Sequence, residues 1–220
     1  MDTVYLNGDF LPEDQARISP LDRGFLFADG IYEVIPVYGG HLFRLEAHLD
    51  RLDRSLNAIQ MDNPCSRGRW QILFEELIER NGGGNQAVYL QVTRGAPSGR
   101  EHGFPPEGVE PTVFAMSLPV KAPAADTPDT AQGVSAVTRD DIRWSRCDIK
   151  SVSLLPNILL RQQALEAGAT EAILVRDGVL TEGSASTVFI ATDNRIATPP
   201  RSHASHPAAI AAASHATAPS

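Results

Sequence analysis

The stretch "DIKSVSLLPNILLRQQALEAGATEAILVRDGVLTEGSAS", residues 148–186, decides the fold of this chain. It opens on an apolar, strand-like run around Lys150, one of only two lysines beside 17 arginines in 220 residues. If that run is a strand, alternation puts Lys150 on the same face as Val152 and Leu154. An ammonium there either snorkels outward or loses hydration, and lost hydration favours a neutral, nucleophilic amine. Schiff-base chemistry needs such an amine. On chemistry alone, a partly exposed lysine covering apolar surface with its stem is the commoner case. "PNILLRQQALEAGA" then reads as a helix, with Pro156 in its first turn and Gly168 at its end. "EAILVRDGVLTEG" reads as a hairpin turning at Asp177-Gly178. Glu182 follows in a Gly/Ser-rich bend directly after a strand. A carboxylate fixed there could pair with a protonated ring nitrogen, although an exposed loop glutamate is commoner.

Outward from this segment the chain reads as α+β, helices beside mostly hairpin-connected strands. Asn7-Gly8 and Gly39-Gly40 mark two early hairpins. Leu45, Leu49, Leu52, Leu56 and Ile59 recur at helical spacing, with Arg44, Asp50, Arg51, Asp53 and Arg54 interleaved. "GRWQILFEELIERNGGG" predicts a second helix stopped by its glycines. The strands "AVYLQVT" and "TVFAMSL" are joined by "RGAPSGREHGFPPEGVEP", longer than a hairpin loop and of the kind that carries function. "PVKAPAADTPDTAQG", which holds Lys121, reads as a linker. The expected domains are 1–120 and 134–200, with a linker at 121–133 and a disordered Ala/Ser/His tail at 201–220. "VSAVT" is a strand of the second domain, and "TVFIATDNRIAT" a hairpin turning at Asp193-Asn194.

Bulk properties narrow the function. The formal net charge is −8, with no basic cluster, so neither nucleic acid nor an anionic membrane is an expected partner. The N-terminus lacks the pattern of a signal peptide, and no run approaches the ~20 apolar residues of a membrane span. Cys65 and Cys147 are far apart, form no CxxC and suggest neither a disulfide framework nor a zinc site, which fits a cytoplasmic protein. The three tail histidines lack the fixed partners of a metal site.

The 148–186 stretch resembles the lysine-to-glutamate segment of class IV (fold-type IV) pyridoxal-phosphate aminotransferases. "DRGFLFADGIYEVIPVYGGHLFRLEAHLDRLDRSL" is similar to the same family's N-terminal domain, and the likeness runs from about Tyr5 to Pro199. The resemblance implies two α+β domains with pyridoxal 5'-phosphate between them. Lys150 would form the internal aldimine and shuttle the proton between substrate Cα and cofactor C4′. Glu182 would face the pyridine nitrogen, and Arg51, in "HLDRL", would grip the phosphate. Arg100-x-His102, in "GREHGFPP", resembles the carboxylate trap of D-amino-acid transaminases, joined by Tyr32 and built across the subunits of a homodimer. A forked cation, an imidazole and a phenol can all donate to a carboxylate. The implied reaction exchanges the amino group of a D-amino acid, D-alanine foremost, with a 2-oxo acid such as 2-oxoglutarate.

Rival readings come from the same fold and from outside catalysis. Branched-chain L-amino acid aminotransferases resemble the rest of the chain but are not expected to carry the RxH pair. Aminodeoxychorismate lyases share the lysine and glutamate. Two departures stand out. Ala185 and Thr187 occupy positions where many relatives have serine and asparagine. After "IATPP", relatives continue with an "LPGITR"-like segment whose helix start helps bind phosphate. Here the tail stands instead, which points to an incomplete C-terminal domain and to a truncation or a reading frame out of register. A non-catalytic fragment that binds the cofactor weakly or not at all is therefore the competing hypothesis. A search of the other reading frames for such a continuation tests the frameshift.

Overall fold

The computed structural model describes residues 2–120, 133–192 and 195–200. The tail, nearly all of the expected linker with Lys121, and the Asp193-Asn194 turn lie outside the described residues. The chain forms two compact units, Met1–Pro123 with Lys150–Val152, and Ala124–Ile149 with Ser153–Ser220.

The first unit is one antiparallel sheet with helices on its apolar side. Strands β1 (Thr3–Leu6) and β2 (Asp9–Pro12) form a hairpin. Its turn needs positive φ at both central residues, which Asn7 (50°) and Gly8 (113°) supply. A short helix α1 (Arg23–Phe27) leads into β3 (Gly30–Tyr38), which turns at Gly39-Gly40 into β4 (His41–Leu42). Helices α2 (Leu45–Ala58) and α3 (Arg67–Arg80) follow, then β5 (Gln86–Thr93) and β6 (Thr112–Pro119). The sheet order is β2-β1-β6-β5-β3-β4. Ile31, Ile35 and Val37 of β3, and Val88, Leu90 and Val92 of β5, are buried at alternate positions. The α2 stripe Leu49, Leu52 and Leu56 is buried too, as are Trp70, Leu73, Phe74 and Leu77 of α3. Ser66 caps α3 by accepting from the Arg69 amide. The Trp70 indole donates to Asn63 at 2.9 Å and stacks on Phe74.

The "DIKSVSLL" run is not a strand. It makes one isolated bridge, Ser151 to Ile31, flanked by hydrogen bonds from Tyr32 N to the Lys150 carbonyl (2.9 Å) and from Val152 N to the Gly30 carbonyl (3.1 Å). The reason lies in the sheet. β4 reaches only Val37 and Tyr38, which leaves the opposite end of β3 with an open edge, and Lys150–Val152 fill it. This piece therefore packs with the first unit, although its sequence neighbours belong to the second.

The second unit contains β7 (Ala136–Asp140), α4 (Leu155–Glu166), β8 (Glu171–Arg176) and β9 (Val179–Gly183). β7 and β8 are parallel, with α4 as the crossover, and β8 and β9 form the hairpin at Asp177-Gly178. Its small core joins Leu160 and Ala164 to Ala169, Ala172 and Leu174. β10 (Ile190–Thr192) and β11 (Arg195–Ala197) pair separately. Among the described residues no helix is long and apolar enough to cross a membrane.

Phe74 is fully buried, so Phe74→Ala should destabilise the first unit by about 3–5 kcal/mol. Urea unfolding checks this, and a loss below ~1 kcal/mol would contradict the packing described.

Candidate active site

β3 divides the first unit's polar residues by phase. Its inward phase, Ile31–Glu33–Ile35–Val37, carries one carboxylate among aliphatic residues. Glu33 is 1% exposed, and two α2 side chains meet it. Arg51 donates from Nε to Oε1 at 2.7 Å and from its terminal nitrogen to Oε2 at 2.6 Å, a bidentate pair. His48 Nδ1 lies 2.9 Å from Oε2. An ionised carboxylate only accepts, so this nitrogen carries the hydrogen, and the buried Nε2 has no hydrogen-bond partner among the described residues. Burial alone would raise the Glu33 pKa, but Arg51 and His48, with the Lys150 ammonium behind them, hold it down at about 2. Arg51 is thus buried in an ion pair rather than solvated beside the leucine stripe. Sequence reading passed over Glu33 and His48. The signal was available: a carboxylate in the core phase of a strand, and a helix whose buried stripe includes His48, Arg51 and Ser55.

The other phase of β3 carries Tyr32. Its ring stacks against Tyr89 of β5 at 5.8 Å, and the Lys150 Nζ stands 4.1 Å from the ring centroid. Burial and neighbouring Tyr32 push the Tyr89 phenol up to about 12. The Lys150 main chain is fixed separately, its amide donating to Ser55 Oγ at 3.2 Å. The Lys150 amine is therefore brought against Tyr32 on one side of β3, while Arg51 is engaged by Glu33 on the side that α2 covers.

Arg100 and His102 sit exposed on the 94–111 loop between β5 and β6. The neck of this loop is narrow: a Cβ on Gly95 (φ +80°) would lie 2.0 Å from the Glu110 carbonyl oxygen. Only glycine fits there. Both side chains pack on Phe27 of α1. The Arg100 guanidinium lies 4.7 Å from the ring centroid, and the His102 ring 5.2 Å.

The second unit holds Glu182. It lies within β9 rather than in the bend after it, and it is buried. Arg143 pairs with it, and Asp141 fixes Arg143 through bonds of 2.9 and 2.8 Å. Asp141 also accepts from the Thr181 hydroxyl at 2.9 Å and pairs with Arg176. Burial opposes charge on Asp141, yet the bonds from Arg143 and Thr181 win and lower its pKa. The Ser-rich bend that follows is organised by Glu171, which accepts from the hydroxyls of Ser184 and Ser186 and from the Ala172 amide. Ala185 lies within that bend and Thr187 directly after it.

Residues 30–206 match the family model for amino-transferase class IV. The D-alanine aminotransferase of Bacillus licheniformis is 42% identical over 198 residues, which span 90% of this chain and 68% of that protein. Among solved structures, the branched-chain amino acid aminotransferase of Escherichia coli superposes with a TM-score of 0.83 at 20% identity, covering 94% of this chain and 70% of that one. The branched-chain aminotransferase of the thermophilic archaeon Thermoproteus uzoniensis, solved with norvaline, gives a TM-score of 0.79 at 22% identity, with coverages of 94% and 70%. The two structural likenesses carry the fold.

Glu33 supplies a pH test. Its pKa falls from 4.5 to about 2 on folding. Its contribution is therefore full above the ordinary carboxylate range and lost as pH drops from 4.5 towards 2, about 3 kcal/mol in all. The stability difference between the wild-type chain and Glu33→Gln should shrink over that interval in urea titrations. A difference constant with pH would refute the assignment.

Proposed function

The chain belongs to the class IV aminotransferase family, and from that membership we propose that it exchanges the amino group of a D-amino acid, D-alanine foremost, with a 2-oxo acid such as 2-oxoglutarate. The observation that carries the substrate class is the 42% identity, over nine-tenths of this chain, to a D-alanine aminotransferase. Tyr32 and the Arg100-x-His102 pair agree with it. The proposed enzyme is a cytoplasmic homodimer with pyridoxal 5'-phosphate as its cofactor.

The donor set suits that group. Lys150 offers a primary amine beside an aromatic ring, Arg51 a fork held in one plane by Glu33, and Glu182 a buried carboxylate paired with Arg143. The buried Nε2 of His48 is a polar atom left over in the same cluster. When bound, the cofactor supplies an electron sink for the pair released at substrate Cα. Lys150 would hold the aldehyde end and move the proton at substrate Cα. Glu182 would accept the hydrogen bond of the protonated ring nitrogen, and Arg51 would hold the phosphate. Tyr32, Arg100 and His102 donate to the substrate carboxylate.

With pyridoxal 5'-phosphate the chain should gain a visible absorption band that Lys150→Ala lacks, and D-alanine should be a far better donor than L-alanine. Arg100→Ala should raise KM about tenfold or more with a smaller change in kcat. Turnover that persists in Lys150→Ala, or a preference for L-alanine, would overturn the reading.

A further inference from the structure

Arg23 grips the loop that carries Arg100 and His102 by its backbone. One terminal nitrogen donates to the carbonyls of Glu101 (2.6 Å) and Gly103 (3.1 Å), the other to that of His102 (3.4 Å). Its Nε pairs with Asp29 at 2.7 Å, and the side chain is buried. One permanently charged fork thus faces three successive carbonyls, a task matched to guanidinium geometry.

Arg23 is itself fixed. Its amide donates to the Gly95 carbonyl at 2.8 Å. The preceding Asp22 accepts from the Gly24 amide and from the hydroxyls of Thr93 and Thr112, at the facing ends of β5 and β6. Asp29 also receives Arg94, whose remaining donors reach the Ile59 and Gln60 carbonyls and whose plane covers Phe104 at 4.0 Å. Phe27, one turn on from Arg23, is the shared platform. The Arg23 guanidinium lies 4.9 Å from its ring, Arg100 4.7 Å and His102 5.2 Å.

We propose that Arg23 is a positioning residue for carboxylate recognition: it sets the backbone of residues 101–103 so that Arg100 and His102 stand together on Phe27. The inference rests on the transaminase reading of Arg100 and His102. A loop ordered before substrate arrives does not draw its ordering cost from binding energy. Loosening the grip therefore weakens binding of both substrates, each of which has a carboxylate, and leaves proton transfer at Lys150 unchanged.

Arg23→Lys keeps a charge beside Asp29, but one ammonium cannot span three carbonyls. It should raise KM for D-alanine and 2-oxoglutarate together, about tenfold, with kcat within about twofold. The visible band of the bound cofactor should be unaltered. Hydrogen exchange should quicken at residues 100–104 and not in β3 or β5. Phe27→Leu, which leaves the Arg23 hydrogen bonds in place, should raise both KM values in the same way and guards against misfolding of the first variant. Because Arg23 acts through Arg100 and His102, Arg23→Lys should add little in a background that carries both Arg100→Ala and His102→Ala. Unchanged KM in both folded variants, or an equal rise in that background, overturns the inference and leaves the transaminase reading intact. No turnover by the unsubstituted chain overturns that reading and the inference with it.

Discussion

The buried pair between Glu33 and Arg51 is the constraint on which the first unit's geometry turns. Glu33 sits in the core phase of β3 and Arg51 in the core phase of α2, so their bidentate contact fixes the rotation of the helix over the strand. Two consequences follow. Tyr32, the residue before Glu33 in β3, is committed to the other face, where Lys150 Nζ lies over its ring. Ser55, one turn on from Arg51, faces the Lys150 amide. Removing one partner of such a pair costs about 3–5 kcal/mol, whereas replacing both by apolar residues is often harmless. Net stability therefore does not explain the pair. Orientation does.

The same device recurs in the second unit. Glu182 is buried against Arg143, which Asp141 and its own partners hold. In both units a carboxylate, Glu33 in the first and Asp141 in the second, has its pKa lowered against the effect of burial because a guanidinium stands within hydrogen-bond reach.

The hairpins and helices were legible because their signals are local. Asn-Gly and Asp-Gly turns, a leucine stripe at helical spacing and a glycine-terminated helix state their outcome within a few residues. The run around Lys150 was misread as a strand because its pairing is decided by the short reach of β4, some 110 residues earlier in the chain. Glu182 falls inside β9, since the hairpin continues pairing as far as Gly183. Arg51 stood out by family likeness, yet its partner Glu33 did not: the phase of β3 marks that carboxylate as a core residue but does not name the side chain that faces it. Arg23 was passed over for the same reason: its acceptors are carbonyls about 80 residues away, and a carbonyl has no signature in sequence.

That last feature bears on how such a site diversifies. Every residue type carries a carbonyl, so the grip of Arg23 is indifferent to which side chains occupy positions 101, 102 and 103. The glycine neck at the loop's base is equally blind to its tip. If the tip recognises substrate as proposed, mutation can rewrite what it binds while the frame beneath it stays unchanged. Substrate preference and scaffold are separable under selection, and a new specificity at this loop need not wait for a new fold.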